Sequence, residues 1–238
     1  MRSCCSTSSY RRAIESGELT QLEWIDRCAR DLRADGVEFD ARYFPRIDDE
    51  YLAQLKKLCV DRCLTVASVC ASVALGGDEV DAAIDSFVPW IDRALALGAP
   101  LLRFDSGRVA GSPGVAWREF VRALKIVCGE AKRRNITLAL QAADGDALVV
   151  TPIDVRRALK ECDSAWLRVS MRAADLAGTE STQWRDLVDE TVIVTTQTGA
   201  VEQIAAMEKA GYNGFVSVCY AGGHDDEAAL PAIFEAFS

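Results

Sequence analysis

The chain has 238 residues, half of them hydrophobic, with 27 Lys and Arg against 36 Asp and Glu and a formal net charge of −9. That much apolar material supplies one continuous core, which excludes a disordered or peptide-scale scaffold. The acidic balance, with no basic stripe, excludes nucleic acid as a partner, and no run approaches ~18 uninterrupted apolar residues, which excludes a membrane-spanning helix.

Short β-rich runs alternate with longer helix-period segments along the whole chain. Arg2–Thr7 is a weak, Ser- and Cys-rich first strand. Gln21–Leu32 repeats Leu22, Ile25, Cys28, Ala29 and Leu32 at helical spacing. Gly36–Asp40 alternates apolar Val37 and Phe39 with polar neighbours, and Asp48 then caps a helix carrying Tyr51, Leu52, Leu55 and Leu58. Leu64–Cys70 is a short β-branched run, and a helix from Asp78 to about Leu97 stops at Gly98 with Pro100 beyond it.

The second half keeps the rhythm. Leu101–Phe104 is a strand, Val115–Arg133 a helix ending in the cations Lys132, Arg133 and Arg134, and Ile136–Leu140 a strand. Thr151-Pro152 supplies a cap and a first-turn proline for a helix over Ile153–Leu159. Ala165–Val169, Thr191–Thr195 and Gly214–Tyr220 are strand-like, and Gln183–Val188, Ala200–Ala210 and Glu227–Ala236 are helical. Eight strand-then-helix units in one chain of this length, with no linker between them, predict a single α/β domain over 1–238, a closed (β/α)₈ TIM barrel. An open doubly wound sheet would need a Gly-rich turn after the first strand, where the chain has Ser8-Ser9-Tyr10.

In such a barrel the chemistry sits where strands end. The strand ends carry Glu38, Asp40, Cys70, Arg103, Asp105, Gln141, Arg172, Thr195, Gln197 and Cys219, which are the expected pocket residues. A ring of hydroxyl, amide and charged groups suits a small hydroxylated or sugar-like molecule. Glu38 and Asp105 are the residues available for acid/base work, although Arg42 and Arg103 could equally engage the carboxylates as ion-pair partners. Nine irregularly spaced cysteines and no apolar leader segment fit reduced thiols and a cytoplasmic protein. A single histidine excludes any centre built from several imidazoles. The five tryptophans mostly fall at core spacing, with Trp166 read as core, and Cys59 and Cys63 are expected to pack at a helix–strand junction.

The stretches RRAIESGELTQLEWIDRCARDLRADGVEFDARYFP, YLAQLKKLCVDRCL and WIDRALALGAPLLRFDSG resemble the xylose-isomerase-like sugar phosphate isomerase/epimerase barrels, as do LALQAADG and GYNGFVSVCYAG further on. The resemblance covers nearly the whole chain. It implies a TIM barrel with one divalent metal (Mg, Mn or Zn) at its mouth, used with acidic residues to move protons beside a sugar carbonyl. Glu38 lies where such barrels often carry an acidic residue that touches substrate. The expected metal ligands are replaced, however. Gln141 stands for a strand-5 glutamate, with Ala143 where a histidine is common. Met171 or Arg172 stands near the strand-6 aspartate, Thr195 or Thr196 near the strand-7 histidine, and Cys219 at the strand-8 glutamate.

A hard cation needs charged oxygen ligands to offset its dehydration. The expectation is therefore a barrel without the metal site, without a cofactor and without the aldose–ketose isomerase/epimerase activity, keeping a carbohydrate-sized pocket. The alternative is an active isomerase or epimerase using Glu38 and Asp105, with or without metal. Weaker rivals are a Cys219–His224 thiolate pair, a soft-metal site from Cys5, Cys70 and Cys219, and a phosphate site at Gln197-Thr198-Gly199 or Gly222-Gly223 partnered by Arg103 or Arg172. A homo-oligomer is compatible with all of them.

Overall fold

A computed structural model describes the chain except residues 78, 110, 178–180, 199, 223–225 and 238, and the side chains of 226 and 227. Among the described residues, eight parallel strands pair in chain order and close on themselves. They are β1 (Arg2–Ser6), β2 (Gly36–Asp40), β3 (Thr65–Cys70), β4 (Leu101–Asp105), β5 (Thr137–Gln141), β6 (Leu167–Arg172), β7 (Thr191–Thr196) and β8 (Phe215–Val218). β1 hydrogen-bonds to β2 on one side and β8 on the other, so the expected (β/α)₈ TIM barrel is the fold. Gly36 is required by the close approach of β2 to β3: a Cβ there would lie 2.5 Å from the Thr65 carbonyl oxygen.

The helices form the outer layer: α1 (Arg11–Glu15), α2 (Gln21–Arg30), α3 (Asp49–Asp61), α4 (Val80–Leu97), α5 (Pro113–Arg134), α6 (Pro152–Cys162), α7 (Ser181–Arg185), α8 (Val201–Lys209) and α9 (Asp226–Glu235). Their ends are written locally. Thr20 and Glu23 form a capping box on α2, Thr151 and Asp154 another on α6, and the Asp48 side chain accepts from the Tyr51 N–H at the start of α3. Gly98 (φ 80°) and Asn135 (φ 57°) end α4 and α5 in the left-handed conformation that terminates helices. None of the described helices is long and apolar enough to cross a membrane.

The larger core lies between barrel and helices. There Trp24 meets Phe39 edge-on at 5.3 Å between centroids, and Phe87 meets Phe104 at 5.2 Å. Three expectations are corrected. β6 starts at Leu167 and runs to Arg172, against the expected Ala165–Val169: at its start the Trp166 N–H is still held in a turn by the Ser164 hydroxyl, and at its end Ser170–Arg172 go on pairing with Ile193–Thr195 of β7. For the same reason Trp166 is half-buried in that turn and is not core. Cys63 is exposed, since the chain leaves α3 there through a left-handed residue (φ 57°). The expected α4 start, Asp78, lies outside the described residues, and the helix is seen from Val80.

Candidate functional site

Side chains on a strand alternate between its faces, so residues two apart point the same way and climb the barrel in layers. The lower layer is apolar: Cys4, Ala67, Ala139, Ile193 and Phe215 plug the interior, with Leu101 packed on them. Two residues further along the same strands the inward positions become Ser6, Arg103, Gln141, Thr195 and Ser217. The floor of the mouth is therefore a polar layer resting on a hydrophobic plug.

Glu38 is wholly buried in that layer, and Arg103 is its partner. The Arg103 guanidinium donates from Nη2 to Glu38 Oε1 (2.7 Å) and from Nε to Oε2 (3.0 Å), a bidentate pair between β4 and β2. The Ser68 hydroxyl adds a third donor to Oε2 at 2.6 Å. Burial pushes the Glu38 carboxyl up, but the Arg103 charge and the hydrogen bonds from Arg103, Ser68 and Ser6 outweigh it and hold it below the usual carboxylate range. The stabilisation from this pair is thus present above the unfolded carboxylate value of ~4.3 and lost as pH falls through the lower folded value. Urea midpoints measured from pH 5 downward should fall more steeply for the native chain than for Glu38→Gln, which has no such proton to take up.

Arg103 also reaches two of the four replaced ligand positions. Its Nη1 donates to Gln141 Oε1 (3.1 Å), and its Nη2 lies 3.9 Å from Cys219 Sγ. Ser170 and Thr195 hydroxyls donate to the same Gln141 oxygen at 3.1 and 3.2 Å. Cys219 Sγ lies 3.6 Å from Glu38 Oε1, and burial, then the Glu38 charge, push its thiol up to about 12. Burial pushes Cys70, across the mouth, up as well. Both are thus neutral thiols at physiological pH and poor nucleophiles. Iodoacetamide at pH 7 should modify exposed Cys63 well before Cys70 or Cys219, as read by peptide mass mapping. Cys5 faces outward into the helix-side core and takes no part in a site with Cys70 and Cys219.

The rim is built from further ion pairs. Asp40 accepts from Arg42 Nη2 at 2.6 Å and from the Ser72 hydroxyl at 3.2 Å. Arg172 bridges Asp175 and Asp144, each at 2.7 Å. Asp105 is exposed and accepts from the Gly107 N–H at 2.9 Å. Gln197 is exposed on the loop after β7. The Ser/Thr-rich segment after β1 fastens its neighbours: the Asp40 N–H donates to the Thr7 hydroxyl (2.7 Å), while the Ser9 hydroxyl donates to the Val218 carbonyl (2.7 Å) and accepts from the Tyr220 N–H (2.9 Å).

These groups enclose a cavity of about 890 Å³. Asp40, Cys70, Arg103, Asp105, Gln141, Arg172, Thr195, Gln197 and Cys219 all line it, with Glu38 sealed beneath the floor. Asp144 and Asp175 line it too and were missed by sequence reasoning. The one available signal was the aspartate expected after strand 6: with β6 ending at Arg172, Asp175 falls in the following turn. Burial pushes its carboxyl up despite the Arg172 charge. His224, the expected partner of Cys219, and Gly199 and Gly223 of the phosphate turns lie outside the described residues.

The donor set does not fit the divalent metal that the resemblance implies. Gln141 Oε1 already accepts three hydrogen bonds, Thr195 donates rather than ligates, Cys219 keeps its proton, and a guanidinium lies among them. A cation placed there would meet like charge across a partly buried gap. Among the described residues no group of three or more His, Cys, Asp or Glu is arranged to hold a metal ion.

The family model for xylose isomerase-like TIM barrels matches residues 27–193. No curated protein sequence matches. Among solved structures, the apo 3-keto-D-glucoside 4-epimerase of E. coli is 16% identical with a TM-score of 0.71, over 91% of this chain and 92% of that one. D-Psicose 3-epimerase of Clostridium cellulolyticum H10, solved with D-tagatose, is 15% identical with a TM-score of 0.73, over 100% and 90%. The IolI protein, solved with a bound zinc atom, is 12% identical with a TM-score of 0.79, over 99% and 95%. At such identities the likeness is one of fold.

Proposed function

The chain belongs to the xylose isomerase-like TIM barrel family, and from that premise we propose that it binds a small polyhydroxylated, sugar-like molecule at the barrel mouth without a divalent metal. In this reading it lacks metal-assisted proton transfer between sugar carbons and works as a binding or regulatory protein. The observation that carries the reading is the Arg103 guanidinium, fixed between Glu38, Gln141 and Cys219 at the centre of the replaced ligand positions. A resident monovalent cation with its own counter-ion leaves no charge for a second cation to balance. The cavity is large enough for a monosaccharide, and its wall mixes hydroxyl, amide and carboxylate groups that hydrogen-bond to hydroxyls.

An isomerase or epimerase reading needs a carboxylate that a substrate carbon can approach. Glu38 does not meet that need, since both its oxygens face Arg103 and Ser68 beneath the floor. Asp105 does: it is exposed in the mouth with one oxygen on the Gly107 N–H. The two readings separate in one experiment. Aldoses and ketoses are incubated with the protein in D₂O and EDTA, and exchange at the carbon beside the carbonyl is followed by NMR alongside melting temperature. A raised melting temperature without exchange supports the binding reading. Exchange that disappears in Asp105→Asn overturns it in favour of the enzyme.

A further inference from the structure

Two of the nine cysteines touch each other outside the cavity. Cys128, on α5, and Cys162, the last residue of α6, bring their sulfurs to 3.7 Å where the two helices pack, and both are free thiols. Groups other than the sulfurs set this contact. Trp117 of α5 donates from Nε1 to Glu161 Oε2 at 2.9 Å, and the Arg157 guanidinium of α6 lies over the Trp117 ring at 4.2 Å. Just beyond Cys162, Asp163 ends α6 in the left-handed conformation (φ 52°), which fixes where the chain leaves the helix.

A disulfide holds its sulfurs ~2.05 Å apart, so this pair has less than about 2 Å to close, within reach of rotation about the two Cα–Cβ bonds. Cys128 and Cys162 keep 3% and 5% of their surface exposed, which admits a small oxidant and shuts out a bulky one. Cys28 also has Cys5 beside it, but neither has any exposed surface. The hydrogen bond shared with Cys128 holds the Cys162 thiol below its ordinary value, helped by the charge of Lys125 and opposed by burial and the Asp163 carboxylate. The same hydrogen bond, and then burial, push the Cys128 thiol up. Cys162 is therefore the sulfur that ionises first, and Cys128 the one that keeps its proton.

We propose that Cys128 and Cys162 are a redox-active dithiol, oxidised by a small hydroperoxide to a disulfide that clamps α5 to α6, and reduced again by an external dithiol. In the first step the Cys162 thiolate attacks a peroxide oxygen. The S–O bond forms, the O–O bond breaks, and the departing hydroxide takes up the proton that Cys162 released, leaving as water. In the second step the Cys128 sulfur attacks Cys162 Sγ. The S–S bond forms, the S–O bond breaks, and the hydroxide leaves as water with the Cys128 proton. The thiols give up two electrons and the peroxide gains them. Reduction is the reverse exchange, in which the external dithiol becomes a disulfide. The two cysteines lie 34 positions apart, so the clamp closes a loop that contains β5 and the mouth segment with Asp144. It does not depend on the ligand proposed above.

The test uses the native chain at pH 7 in a slight excess of hydrogen peroxide, followed by unfolding in acid, alkylation and tryptic peptide mapping. The expected product is peptide 126–132 joined to peptide 161–168 within one chain, two hydrogens lighter than the separate peptides and released by dithiothreitol. The melting temperature should rise by roughly 4–16 °C, the effect of closing such a loop in a chain of this size, and should return on reduction. In Cys128→Ser the reaction should stop at Cys162, trapped there by dimedone as the sulfenic acid, with no joined peptide and no rise. Thiols at Cys128 and Cys162 that still alkylate after unfolding, when exposed Cys63 has been oxidised in the same sample, overturn the proposal. A Cys5–Cys28 link in place of the expected one overturns it too, as does a Cys128–Cys162 disulfide that lowers the melting temperature.

Discussion

Arg103→Ala should destabilise the protein by about 3–5 kcal/mol, the cost of leaving a buried charge without its partner. Glu38 is wholly buried, and its carboxylate would keep only neutral donors, the hydroxyls of Ser68 and Ser6 and the Cys219 thiol. For a chain of this size the loss corresponds to a drop of roughly 6–20 °C in melting temperature. Glu38→Gln should cost less, because the guanidinium borders the open mouth whereas the carboxylate does not. The double change Glu38→Leu with Arg103→Met removes both charges together and should recover much of the stability lost in Arg103→Ala. Urea denaturation of the four proteins reads out the ordering. An Arg103→Ala variant no less stable than Glu38→Gln would mean that water or a neighbouring group already satisfies Glu38.

Trp24→Ala should cost about 3–5 kcal/mol through the cavity left in the helix-side core. Trp24 is fully buried and packs edge-on against Phe39, whose neighbours on β2 are Glu38 and Asp40. Emptying that space removes the support behind the strand that carries two site carboxylates, so ligand affinity should fall together with stability. Trp24→Phe should cost far less than the alanine change. The indole N–H has no hydrogen-bond partner among the described residues, so the smaller ring gives up packing but no polar contact seen there. A Trp24→Phe variant as unstable as Trp24→Ala, in the same urea series, would show that the indole's shape rather than its bulk is what β2 requires.

Much of the barrel was legible because strand alternation and helix signals are local. Gly36–Asp40 alternates cleanly and is β2 residue for residue, and Asp48 and Thr151-Pro152 start their helices where side-chain caps dictate. The ends of β6 and β8 were harder. Their bounds depend on which neighbour completes the ladder, and β6 pairs with β7 across a register shift after Val169. Strand ends also identified the residues that line the mouth, since position along a strand fixes both face and height.

What those residues do to one another was not legible. Whether Glu38 meets Arg42 or Arg103 depends on the stagger of β2 against β4, two strands apart in the barrel. Which way the Gln141 amide points depends on a cation from β4 and hydroxyls from β6 and β7. Asp144 lies on a loop and Asp175 in the turn after β6, and among the described residues it is Arg172, reaching toward both, that draws them into the mouth.

In the proposed function Arg103 and its partners stand in place of a divalent metal. Metal content of the untagged protein, together with its melting temperature in EDTA and in Mn²⁺ or Mg²⁺, tests it most directly. The expected result is no stoichiometric metal and no shift with either ion. About one equivalent of Mn²⁺ or Mg²⁺ per chain, with a stabilisation that grows with concentration toward ~2.7 kcal/mol at a hundred times the dissociation constant, would contradict it and return the isomerase or epimerase reading to first place.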